Sequence, residues 1–164
     1  MTAHGLSFDL EDWHQLVNMR LGRTPDEPWR HFDECVDHLL EVCDELGCKA
    51  TFFVLGLLAR SRPHLIRRLA DEGHEIASHS LSHRLVYSMS PGEMFADVRD
   101  SKHMLEDLSG SEVTGFRAPE FSMRRLDSPC FTALREAGYT YDSSVFPVVN
   151  RAILQPVAAL SYAK

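Results

Sequence analysis

The chain has 164 residues, 44% of them hydrophobic, which is enough to bury the core of one domain. Its 17 basic and 24 acidic side chains give a formal charge of −7, and basic residues cluster only in pairs such as Arg67-Arg68 and Arg124-Arg125. Nucleic acid and anionic membranes are therefore excluded as expected partners. No stretch approaches the roughly 20 apolar residues of a membrane span, and the opening MTAHGLSFDLEDW lacks the basic and apolar regions of a signal peptide, so a cytoplasmic location is expected.

Short apolar runs alternate with helical periods, the pattern of an α/β domain with a parallel sheet. GLSFDLE (5–11) reads as a first strand, followed by a polar segment through Pro28. From Trp29 to Leu46 apolar residues recur at three or four, and Gly47 stands where a helix would close. KATFFVLG (49–56) is apolar on both faces, as buried parallel strands are. A helix around PHLIRRLADEG ends at Gly73, and HEIASHS (74–80) is the third strand. The next helix opens on Ser90, Pro91 and Glu93, a capping box, with Met94, Val98, Leu105 and Leu108 on one stripe. VTGFRAP (113–119) is a fourth strand, SPCFTALREAG a further helix and YTYDSSVFP (139–147) a fifth strand. After Pro147 neither alternation nor a helical stripe is visible, and no repeat or linker divides residues 1–164, which read as a single domain. Cys35, Cys43, Cys48 and Cys130 form no CxxC pair and are expected as buried thiols.

The unusual polar residues gather at the C-terminal ends of these strands. Asp9, Glu11 and Asp12 close the first, His79 and His83 follow the third, Arg117 ends the fourth and Asp142 the fifth. In parallel α/β sheets and barrels the loops that bind ligands converge at this edge. Nine histidines yield about half a pair at a spacing of four by chance, so His79 and His83 carry weight only in company. With a carboxylate from the first strand they make a His-His-carboxylate set suited to zinc and open to cobalt, nickel, manganese or iron. Strand alternation sends Asp9 and Glu11 to one side and Leu10 to the other, so one acid can hold metal while the other accepts a proton. Arg117 precedes a rigid Ala-Pro turn and can orient a carboxylate; Trp13 offers either a floor for a sugar ring or a piece of core.

In these residues the sequence resembles the polysaccharide deacetylases of the NodB-homology type, in the branch found in exopolysaccharide gene clusters. SFDLEDW resembles that branch's first motif, HSLSH matches the His-Ser/Thr-x-x-His motif, and RAPEF matches the Arg-x-Pro-x-Phe motif, in the family's order over residues 4–147. The resemblance implies an irregular (β/α) barrel and a metal-dependent hydrolase, most simply zinc-dependent, that removes N-acetyl groups from the amino sugars of an oligo- or polysaccharide. It implies Asp9 as catalytic base, Arg117 as the residue holding that base, and His79 and His83 as metal ligands. The third ligand it implies is Glu11, with Asp12 as the alternative, and Trp13, Pro119 and Phe121 fall to substrate binding.

The family's general acid is a histidine in a late Leu-x-x-His motif, whereas the last histidine here is His103, on a helix; His14 is a substitute candidate. The expectation is thus a NodB-type barrel incomplete after about five βα units: part of a longer enzyme, a chain that works with a partner, or an inactive form. A related C–N hydrolase acting on a small amide is the alternative chemistry. Uncovered barrel edges predict self-association.

Overall fold

The computed structural model describes residues 5–12, 21, 31–123 and 128–145. Its strands are β1 (Ser7–Leu10), β2 (Thr51–Val54), β3 (Glu75–Ser78), β4 (Gly115–Phe116) and β5 (Tyr141–Asp142). Its helices are α1 (Phe32–Glu45), α2 (Gly56–Ser61), α3 (Pro63–Asp71), α4 (Pro91–Ser109) and α5 (Pro129–Glu136). All strand pairs are parallel and run in sequential order β1-β2-β3-β4-β5. Sequential order without a reversal is the connectivity of (β/α) barrels rather than of doubly wound sheets, whose order reverses at a switch point.

The two faces of the sheet differ in kind. Leu10, Phe52, Val54, Ile76 and Phe116 point to the helices, all at most 4% exposed, and pack with Val36, Leu40, Leu58, Leu65, Leu69, Val98, Leu105 and Leu134. Each such side chain contributes about 1.5–3 kcal/mol of burial, so this helix-side layer dominates the stability. The opposite face is polar: Thr51 and Tyr141 both donate to Glu75, at 2.6 and 2.7 Å, and Arg117 spans to Ser7, Asp9 and Ser143. Tyr141 reaches Glu75 by crossing directly over Gly115, where a Cβ would lie 2.2 Å from the ring. Glycine is required there by space.

Local signals explain the helix ends. Ser90 accepts from the Glu93 N–H while its own N–H donates to the Glu93 carboxylate, closing the capping box of α4. Gly110 then ends that helix in the left-handed region, at φ 67°. Ser128 caps α5 through the Cys130 N–H.

Several expectations are corrected. Gly56 ends no strand: it begins α2, a helix of six residues that the sequence pattern does not disclose. The fourth and fifth strands are two residues each, and before the fourth the Val113 backbone groups are diverted to side chains of α4. The Val113 N–H donates to Glu106, and the Val113 carbonyl accepts from Lys102. Helix α1 begins at Phe32, and Trp29 lies outside the described residues, as does everything after Val145. All four cysteines are free as expected, but Cys35 is exposed and Cys48 half-buried, leaving Cys43 and Cys130 as the buried thiols. Among the described residues no helix is long and apolar enough to cross a membrane.

Candidate functional site

The C-terminal ends of β1, β3 and β4 carry the site. Asp9 is the penultimate residue of β1 and Glu11 follows the strand; Leu10 between them is buried on the helix side. His79 follows β3 directly, with its N–H donating to the Val54 carbonyl as if the ladder continued. Arg117 follows β4 in the same way, its N–H on the Ser78 carbonyl at 2.9 Å.

Glu11, His79 and His83 converge, each offering a donor atom within 4.8 Å of the others. Glu11 Oε2 lies 3.3 Å from His79 Nε2 and 2.8 Å from His83 Nε2, with both histidines buried. Tetrahedral ligands at about 2.1 Å from an ion stand about 3.4 Å apart, so the trio is close to the spacing a zinc ion requires. The hydrogen bonding points the same way. His79 Nδ1 lies 2.8 Å from the Arg117 carbonyl and donates to it, so that in the neutral ring Nε2, on the Glu11 side, is the nitrogen that can ligate. Glu11 Oε2 itself is buried, with the two imidazole Nε2 atoms facing it. Burial raises the Glu11 carboxyl, but the two imidazoles facing it outweigh that and hold it at about 2. A carboxylate oxygen and two imidazole nitrogens converging on one point are a donor set that fits a divalent cation. Asp12, the alternative third ligand, is 1% exposed and stands outside this trio.

Arg117 ties the site together. Its guanidinium donates to Asp9 Oδ1 at 2.7 Å and to Ser7 and Ser143 hydroxyls at 3.0 Å each, and it lies 3.9 Å above the Phe53 ring. Phe53, 2% exposed, belongs to the polar face rather than to the helix-side core. One residue therefore orients His79 through its main chain and Asp9 through its side chain. Neither Phe53 nor the two serines is distinguished in the sequence; only the register of β1, β2 and β5 brings them under the arginine.

The loop between the histidines is held in an uncommon form. Ser80 and His83 have φ of 66° and 60°, left-handed values that cost a non-glycine residue about 1–2 kcal/mol each. The Ser80 hydroxyl accepts from the His83 N–H at 3.0 Å and offsets part of that cost.

The remaining candidates lie around this centre. Pro119 is buried and begins a single 3-10 turn, Pro119–Phe121, so it shapes the backbone and presents no face to a sugar. Phe121 is 47% exposed, its ring 6.0 Å from the Arg117 guanidinium carbon. Asp142 faces away from the trio: it accepts from the Ser144 N–H and hydroxyl, and that hydroxyl in turn accepts from the Ala118 N–H at 2.7 Å. Burial raises the Asp142 carboxyl, against those hydrogen bonds. Trp13 and His14 lie outside the described residues.

A parallel single-wound α/β sheet with a His-His-carboxylate set and an arginine-held aspartate at its C-terminal rim is a barrel-type architecture with its polar groups at the ligand-binding edge. The polysaccharide deacetylase family profile matches residues 23–141, and the chain belongs to that family. It is 34% identical over 91 residues to a chitooligosaccharide deacetylase of Sinorhizobium fredii, covering 56% of this chain and 38% of the relative. It is 29% identical over 101 residues to a peptidoglycan-N-acetylglucosamine deacetylase of Bacillus cereus, covering 62% and 46%. The chain thus spans under half the length of these curated relatives. Among solved structures, a family 4 carbohydrate esterase from Streptomyces lividans superposes with a TM-score of 0.62 at 22% identity, over 84% of this chain and 59% of that one. A pseudoenzyme of the same esterase family from Bacillus anthracis superposes at 0.60 and 21%, over 82% and 41%. These likenesses show the fold, the NodB-type barrel, of which five parallel strands lie among the described residues.

Proposed function

We propose that the protein is a metal-dependent carbohydrate N-deacetylase that hydrolyses the N-acetyl group of an amino sugar within an oligo- or polysaccharide. The observation that carries this reading is the paired arrangement of Glu11–His79–His83 and Asp9–Arg117 about the single residue Arg117. Glu11, His79 and His83 would hold the divalent cation, most simply zinc, which supplies Lewis acidity toward the amide oxygen and toward water. Asp9 accepts the proton of the attacking water, and Arg117 keeps its carboxylate oriented for that task. The Arg117 carbonyl keeps His79 in the tautomer whose Nε2 is free to ligate. Phe121, exposed beside the arginine, offers an apolar face to a pyranose ring. The likeness of SFDLEDW to the exopolysaccharide branch supports a role in exopolysaccharide assembly.

A non-catalytic metal- or sugar-binding role is favoured by one observation. Among the described residues the other histidines are engaged elsewhere: His31 with Glu34, His38 with Glu41, His64 with Asp33, His74 with Ala50, while His103 is exposed on α4. None stands ready to protonate a departing amine. Acetate release from an N-acetylglucosamine oligomer separates the two roles. The deacetylase reading expects release that a chelator abolishes and added Zn2+ restores; zinc binding without release leaves the binding role.

A further inference from the structure

The loop that carries the histidines is gripped from two sides by residues outside the motif. On one side, the first two amides of α2 donate to it: Gly56 N–H to the Ser80 carbonyl and Leu57 N–H to the Leu81 carbonyl, both at 2.9 Å. This contact is close because position 56 has no side chain; a Cβ there would stand 3.0 Å from Leu81 Cα and 3.1 Å from its carbonyl oxygen. On the other side, Asp97 on α4 accepts from the Leu81 N–H at 2.9 Å and from the Ser82 hydroxyl at 3.0 Å. Asp97 is 8% exposed, on the same buried stripe as Met94, Val98 and Ser101. A carboxylate placed among core residues is costly unless donors meet it, and the donors that meet this one belong to the ligand loop.

We propose that Asp97 and Gly56 are positioning residues for the metal centre: together they hold Ser80–Ser82 so that His79 and His83 meet Glu11 without the metal having to organise the loop. The inference rests on the metal-centre reading above. Left-handed backbone at Ser80 and His83 is uncommon for these residue types, so a loop freed from the clamp relaxes to other conformations, and the ion must then supply the ordering. Partners beyond the direct ligands typically govern metal affinity by about 10–100-fold.

The test measures Zn2+ affinity of the full chain by competition with a chromophoric chelator, and the visible absorption of the Co2+ form as a report of ligand geometry. Asp97→Ala is expected to keep a cooperative melt, weaken Zn2+ by about 10–100-fold and change the Co2+ bands. Gly56→Ala, which displaces Leu81 without touching Asp97, is expected to weaken Zn2+ in the same direction and carries the test if Asp97→Ala does not fold. Parent-like affinity and Co2+ bands in a folded variant overturn the clamp while leaving the metal centre standing. Failure of the unsubstituted chain to bind Zn2+ overturns both.

Discussion

Replacing Arg117 by lysine separates the two tasks assigned to that residue. The guanidinium holds Asp9 and the Ser7 and Ser143 hydroxyls in one plane over Phe53, whereas an ammonium can serve Asp9 or the serines but not both. Two lost hydrogen bonds from the charged guanidinium to serine hydroxyls cost about 1.5–3 kcal/mol each. The lost stacking costs about 1 kcal/mol more. Against this, Arg117 Nε is buried with no acceptor, and removing such an orphaned donor returns about 1–3 kcal/mol. The losses outweigh the return, so stability is expected to fall by about 3 kcal/mol, and activity measured on the folded variant is the informative quantity. A general base contributes about 100- to 10,000-fold, and loss of its orientation is expected to forfeit about 100-fold of that. In barrier height this is about 2.7 kcal/mol. Zinc affinity is expected to stay within about threefold, because the group that orients His79 is the carbonyl of residue 117, which the substitution leaves in place. Acetate release gives kcat/KM and chelator competition gives the zinc Kd. Parent-like kcat/KM, or zinc affinity falling in step with activity, would refute the division of labour.

Gly115→Ala puts a Cβ 2.2 Å from the Tyr141 ring, which must swing aside and abandon Glu75. The expected cost is about 2–4 kcal/mol from overpacking and the lost hydrogen bond, with Tyr141→Ala in the same chain relieving the overpacking; additive losses in chemical denaturation would count against the contact. His74 accepts from the Ala50 N–H, and burial, with Lys49 nearby, holds its pKa below the ordinary 6.5. Stability from this group is complete above about pH 6.5 and is lost as the pH falls below it, at no more than about 1.4 kcal/mol per pH unit. In chelator, His74→Gln is therefore expected to flatten the decline of the urea midpoint below pH 6.5, and an unchanged slope would remove His74 from the account. With β1 and β5 at the two ends of the described sheet and Leu6 and Phe121 exposed, the chain is expected to self-associate; a concentration-independent monomer mass by light scattering would contradict this.

Much of the site was legible in one dimension because its rules are local. Alternation along β1 separates Asp9 and Glu11 from Leu10, and a capping box and closing glycines bound α4, whatever the rest of the chain does. HSLSH and RAPEF lie in order within the residues 23–141 that match the family, and each is short with chemistry that depends on residue type; SFDLEDW precedes the matched residues. Asp97 had a faint signal, an acid on the apolar stripe of a helix, but no spacing relates it to a loop some 15 residues earlier. Helix α2 had none, because six residues are too few to establish a helical period. Which carboxylate meets the histidines, which ring lies under Arg117 and which carbonyl fixes the His79 tautomer were decided only by parallel pairing. Strand register brings residues from distant parts of the chain to one rim, and register is set by the burial of whole faces rather than by any one motif.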